Sequence, residues 1–223
     1  MRQGGRPSSP RTALVTGSSR GLGRVIARRL AADGFAVAVN ALVGGDQTEE
    51  VVLGIRGEGG IAEAFPADIT DERQVVLLVD EIAERLGPVD VLVVNATGPQ
   101  PEAMVSDVSW QDHLAQLAFF VKSPILLGRA VLPTMQARRY GRIIQIDSEV
   151  ADRPPAGRSA YVTAKSAQIG LTRSWAAELA PIGHHRQHRR AGLHTSGTPR
   201  RCARGDEDRL PRHRSRRTDG DTR

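Results

Sequence analysis

Two rhythms of apolar residues alternate along most of this chain. The first is a short, nearly solid run: "TALVT" at 12–16, "FAVAVN" at 35–40, "VDVLVVNA" at 89–96 and "GRIIQIDS" at 141–148, with another inside "GIAEAFPADIT" at 60–70. Solid runs of this length predict strands covered on both faces. The second rhythm has helical spacing. Leu22, Val25, Ile26 and Leu30 recur on one face, and Gly34 suits the end of that helix. Helices are predicted likewise over 47–58, 71–86, 111–138 and 159–180, with an irregularity at Pro124, which lacks an N–H. Five strands separated by helices predict an α/β fold, a doubly wound parallel sheet between two helical layers.

The rhythm stops at Gly183. From 184 to 223 the apolar residues are Ala191, Leu193, Cys202, Ala203 and Leu210, too few to offset the entropy of ordering the segment. The reading is therefore an ordered domain at 12–183, a disordered tail at 184–223 and a loose arm at 1–11. That arm, "MRQGGRPSSPR", lacks the apolar centre of a secretion signal.

Charge follows the same boundary. The whole chain carries +6, but 184–223 holds 12 Arg, no Lys and 5 acids, whereas 1–183 holds 19 basic and 20 acidic residues. The domain is nearly neutral, so the overall basicity says nothing about what it binds. The tail offers no aromatic residue on which a base could stack, which argues against a nucleic-acid module there. A single cysteine, Cys202, excludes an internal disulfide framework and fits a cytoplasmic location. No apolar run approaches the roughly 18 residues of a membrane span, so none is expected.

Three motifs carry candidate chemistry. "TGSSRGLG" (16–23) joins the first strand to the first helix, with glycines at 17, 21 and 23. Glycines there let the backbone approach a pyrophosphate, and the helix N-terminus offers free N–H groups to it. By itself the stretch also fits a plain tight turn. Tyr161 and Lys165 stand four apart on a predicted helix, hence on one face. An ammonium beside a phenol favours its ionised form, and such a tyrosine can exchange a proton with a carbonyl or alcohol. The same spacing also fits a surface packing pair. Ser148 ends the fifth strand, on the side of such a sheet where ligands bind, and alone it also fits a turn.

Taken together, these motifs resemble the short-chain dehydrogenase/reductase family. Its members carry T-G-x-x-x-G-x-G, then N-A-G after the fourth strand, then a Ser ending the fifth strand and Y-x-x-x-K thirteen residues later. Here Tyr161 follows Ser148 by thirteen. The resemblance covers 12–183 and implies a Rossmann-like fold and hydride transfer between a nicotinamide cofactor and a carbonyl or alcohol. By that resemblance Tyr161 is the general acid/base. Lys165 supports its ionisation and holds the nicotinamide ribose, and Ser148 orients the substrate oxygen. Thr16, Gly17, Ser18, Arg20, Gly21, Leu22 and Gly23 surround the pyrophosphate, Asp68 and Ile69 lie against the adenine, and Asn95, Ala96 and Gly98 wall the ribose. NAD-preferring members place an acid after the second strand. Here Asn40 and Ala41 stand there, and Arg20 can meet a 2′-phosphate, so NADP(H) is favoured over NAD(H). "FAVAVN" and "GRIIQIDS" resemble the 3-oxoacyl-carrier-protein reductase branch, which implies a small-molecule carbonyl or acyl-carrier substrate. It also implies a dimer or tetramer assembled through the helices at 111–138 and 159–180.

The chain departs from that pattern in places. Thr97 interrupts the N-A-G, Asp147 replaces a small residue, and the family's helix Asn, which supports a water linked to the Lys, falls at Phe120. An alternative follows: a nucleotide-binding remnant with impaired catalysis. The largest departure begins at His184, where family members continue with a strand like "ITVNTVAPG". The codons of His-His-Arg-Gln-His-Arg-Arg (184–190), CAY CAY CGN CAR CAY CGN CGN, read one base on, permit Ile-Thr-Val-Asn-Thr-Val-Ala. The next four residues then permit Pro-Gly-Phe-Ile. The expectation is a frameshift near Gly183 and a sheet lacking its last strands.

Overall fold

The computed structural model describes residues 9–179 and 189–191. These lie in one compact unit that ends at Gly192. Most of the arm and of the tail read from the sequence lie outside the described residues.

The five expected strands form: β1 (Thr12–Val15), β2 (Ala36–Ala41), β3 (Ile61–Pro66), β4 (Val89–Val94) and β5 (Arg142–Ser148). The sheet order is β3-β2-β1-β4-β5-β6, and each pair of neighbours is parallel. A short sixth strand lies beyond the five that the sequence predicts. β6 (Arg189–Ala191) pairs with the end of β5, Ser148 opposite Ala191. Strand ladders use backbone N–H and C=O, which every non-proline residue supplies, so a lack of apolar residues does not forbid a short one.

The core is explained by alternation along the strands. Leu14, Ala38, Leu92 and Val94 face α3 (Glu72–Arg85) and α5 (Ser123–Ala137), packing with Val75, Leu78, Ile82, Leu127, Val131 and Met135. Their neighbours Ala13, Val15, Val37, Val39, Val91 and Val93 face α1 (Gly21–Ala32) and α2 (Asp46–Gly57). One side chain up and the next down is the two-residue period of a strand, and burial on both faces explains the solid apolar runs.

The helix expected over 111–138 is α4 (Trp110–Leu117), a π-helical turn (Ala118–Lys122) and α5 in continuous succession. Pro124 lacks an N–H, and its ring crowds the carbonyl of Phe120, four residues earlier. The chain widens here: the N–H of Ser123 reaches the carbonyl of Ala118, five residues back. The fully buried Ser123 hydroxyl donates to the Phe119 carbonyl at 2.7 Å. One consequence concerns membranes. The continuous helix Trp110–Ala137 is long and apolar enough to cross one by length and composition, contrary to the sequence reading. In the fold its residues Leu126, Leu127, Val131 and Met135 are buried against the sheet and α3. α6 (Ser159–Leu179) carries Tyr161 and Lys165 and packs beside α4 and the π turn.

Candidate active site

The glycine loop owes its shape to hydrogen bonds with its neighbours. Thr16 and Ser18, expected beside a pyrophosphate, are instead fully buried under the loop. The Thr16 hydroxyl accepts from the N–H groups of Asn95 and Ala96 at 3.0 and 3.1 Å. Ser18 donates to the Val15 carbonyl at 2.7 Å and accepts from the Asn40 N–H at 3.1 Å. Both side chains position the loop from below. Asn95 completes the clasp, its amide donating to the carbonyls of Thr16 and Gly17 at 3.0 and 3.1 Å. Two glycines are required by close approach. Gly17 sits at φ +62°, where a Cβ would lie 2.7 Å from the Ala96 Cα. At Gly23 a Cβ would lie 2.2 Å from the Gly17 carbonyl oxygen. Arg20 precedes α1 in extended backbone and gives that helix no side-chain cap, so its first N–H groups face outward unclaimed by a side chain.

Above this loop lies a groove of about 770 Å³ at the carboxyl ends of β1, β2 and β4. It is lined by most of the residues that the resemblance names: Gly17, Arg20, Gly21, Leu22 and Gly23 on one side, Asp68 and Ile69 on another, and Asn95, Ala96 and Gly98 on a third. Asn40 also lines it, but its amide is turned inward, donating to the carbonyls of Phe65 and Ala67 at 3.0 and 3.3 Å. Sequence reasoning missed Leu42, Val43 and Phe119 in the lining. Leu42 and Val43 could have been found from their position: two large apolar residues directly after a strand end, where they remain 65% and 73% exposed. Phe119 carried no such signal, because the π turn decides where it points.

Ser148, Tyr161 and Lys165 are not among the residues lining this groove. Ser148 ends β5 half-buried, and its hydroxyl accepts from the Val150 N–H at 3.4 Å, as a turn former does. Tyr161 lies in the first turn of α6, edge-on to Phe120 with ring centroids 5.4 Å apart. Lys165 is buried. Its ammonium donates to the Ile146 carbonyl at 2.8 Å and to Gln168 Oε1 at 2.9 Å. It stands 4.1 Å from the Phe120 ring centroid and 6.0 Å from that of Tyr161. Burial holds its pKa down to about 8, against the opposing pull of the Asp147 carboxylate. Asp147 and Gln145, on one face of β5, are buried, and Asp147 Oδ1 and both Gln145 amide atoms have no partner among the described residues. Phe120 therefore does occupy the flank of Lys165, where the resemblance expects an Asn. Gln168 escaped sequence reasoning, although its position three residues after Lys165 puts it on the same helical face.

A parallel sheet with a glycine-loop groove at its carboxyl ends defines a dinucleotide-binding α/β protein. The chain belongs to the short-chain dehydrogenase family, whose model matches residues 11–183. Family members are NAD(P)-dependent oxidoreductases. A short chain dehydrogenase of Pseudocercospora fijiensis is 36% identical over 180 residues, covering 78% of this chain and 56% of that protein. The chain thus spans little more than half of that relative's length. The 3-oxoacyl-[acyl-carrier-protein] reductase FabG of Staphylococcus aureus is 35% identical over 175 residues, covering 78% of this chain and 70% of its own. Among solved structures, a metagenomic short-chain oxidoreductase in complex with NADP superimposes with a TM-score of 0.77 at 31% identity, covering 83% of each chain. A 3-oxoacyl (acyl-carrier-protein) reductase of Agrobacterium tumefaciens with NADP bound gives 0.74 at 36% identity, covering 81% of this chain and 69% of its own.

The residues present fit such a cofactor. The groove has the volume, the helix N-terminus is uncapped by side chains, and the Gly17–Gly23 approach leaves backbone where a Cβ would intrude.

Proposed function

We propose that this chain is built as an NADPH-dependent carbonyl reductase, with a 3-oxoacyl thioester on a carrier as its substrate class. The observation that carries this reading is the juxtaposition on α6: a half-buried tyrosine one turn from a buried lysine whose pKa lies near 8, beside the serine-ended β5. When bound, the nicotinamide supplies the hydride. Ser148 hydrogen-bonds the substrate carbonyl oxygen and turns it towards Tyr161. Tyr161 delivers a proton to that oxygen as charge develops there. Lys165, largely cationic at neutral pH, favours the phenolate that remains. Gly17, Gly21 and Gly23 would admit the pyrophosphate to backbone N–H groups, Asp68 and Ile69 would flank the adenine, and Asn95, Ala96 and Gly98 would line the ribose side. Arg20 supports NADP(H) over NAD(H): it is exposed at the groove, has no ion-pair partner among the described residues, and faces no acid after β2. The relatives' names support the substrate class.

Two wider readings belong with this one. The first is the frameshift near Gly183. β6 lies within the segment whose codons, read one base on, permit the family's next strand, and the match to the family ends at residue 183, beyond which the basic excess lies. The second is a cytoplasmic homo-oligomer formed through α4, α5 and α6; Trp110 and Leu114 on α4 are exposed apolar residues available to it.

A rival reading, a cofactor-binding remnant without turnover, draws on Phe120, an apolar ring at the flank of Lys165. The test is Tyr161→Phe with NADPH and a 3-oxoacyl thioester. A reductase loses turnover by roughly 10²- to 10⁴-fold while its NADPH Kd stays the same. A wild-type chain that binds NADPH without turnover supports the remnant instead.

A further inference from the structure

Lys165 is held differently from an ion-paired lysine. Two of its donors go to neutral oxygens, the Ile146 carbonyl and Gln168 Oε1, and its charge faces the Phe120 ring. No ion pair joins it to any acid among the described residues. The charged and titratable groups around it are few. Asp147 acts on it from β5 through space, Tyr161 lies one turn away on α6, and Lys122 of the π turn is exposed.

Gln168 is an unusual residue for its place. It continues a buried stripe along α6 in which Ala160, Ala164 and Thr172 recur every fourth residue. The two alanines allow close packing. An amide in such a stripe costs free energy unless it is paired, and this one gives its oxygen to Lys165, both groups being at least 95% buried.

We infer that Gln168 is a positioning residue for Lys165: its amide oxygen, with the Ile146 carbonyl and the Phe120 ring, holds the ammonium in one orientation beside Tyr161. The proposal rests on the reductase reading only for its catalytic consequence. A neutral acceptor keeps the ammonium in place without making it as basic as a carboxylate partner would. The charge that acts on Tyr161 is then held by neutral groups of α6, β5 and the π turn.

Lys122 and Lys165 are the chain's only lysines, which permits a direct test. The full chain carrying Lys122→Arg is labelled with ¹³C at lysine Cε, so that one resonance reports Lys165. Its titration is compared with those of Gln168→Leu and Gln168→Glu in the same background. Leu removes an acceptor for the charged form, so the midpoint falls by about one unit. Glu places a carboxylate there, so the midpoint rises by one unit or more, on the order expected for a close opposite charge. Midpoints that agree within about 0.3 units across folded variants overturn the proposal, since a packing role alone moves none of them. If the Leu variant does not fold, the Glu variant decides by the same criterion. The kcat/KM pH profile for NADPH-dependent reduction is recorded alongside. Shifted titrations without turnover in any variant uphold Gln168 and overturn the reductase reading. Turnover with unmoved titrations does the reverse.

Discussion

The glycine-loop end of the sheet and the α6 end are both built around buried polar groups, but they satisfy them differently. At the loop, Thr16, Ser18, Asn40 and Asn95 direct their side chains to backbone N–H and C=O groups of β1, β2, β3, β4 and the adjoining turns. Backbone groups do not change with sequence, so this clasp needs only a few small polar residues and two well-placed glycines. At α6, Lys165 draws on a carbonyl from β5, an amide from its own helix and a ring from the π turn. Gln145 and Asp147 keep buried polar atoms without partners among the described residues. A binding loop can be completed from backbone. The proton-transfer centre proposed at α6 needs particular side chains from several elements, so single departures such as Phe120 and Asp147 bear on it.

The sharpest way to break that comparison is to damage the loop where backbone meets backbone. Gly23→Ala places a methyl 2.2 Å from the Gly17 carbonyl oxygen, which has no flexible end to move aside. The expected cost is about 3 kcal/mol or more in denaturant unfolding, with loss of NADPH binding. A variant that keeps wild-type affinity would show that the loop adapts after all.

The α6 end is tested by pH. The Lys165 pKa lies at about 8 when folded, below the ordinary 10.5 of an exposed lysine. A folded-state pKa that is depressed for a base penalises stability below pH 8, where lysine is charged in both states. The penalty lifts as the pH rises from about 8 to 10.5, because the native state releases its proton first. The difference in unfolding free energy between wild type and Lys165→Met therefore changes in the wild type's favour across that window, by on the order of 3 kcal/mol. A flat difference would mean that burial does not disfavour the ammonium.

The smallest expected effect returns to the groove. Arg20→Ala removes one exposed charge, and the preference for NADPH, taken as the NADH Kd over the NADPH Kd, falls about tenfold, the worth of one charge-assisted hydrogen bond at a solvated site. An unchanged ratio would move the preference to other residues, Leu42 and Val43 first among them.

Much of this was legible from the chain itself. The solid apolar runs marked β1 to β5, because strands buried on both faces leave no polar positions. Pro124 marked the irregular helix, because its missing N–H acts locally. Gly17 and Gly23 marked the groove, because close backbone approach at those two positions admits no other residue. Tertiary structure alone decided the rest. Thr16 and Ser18 turned inward because buried backbone groups of β2 and β4 lay within reach of their hydroxyls. The three-residue β6 formed on backbone hydrogen bonds, which side-chain composition does not report. Gln168 became the holder of Lys165 because β5, the π turn and α6 meet around one ammonium. Periodicity and spacing record how a residue relates to its own element, whereas the partner of a buried charge is fixed by which elements pack around it.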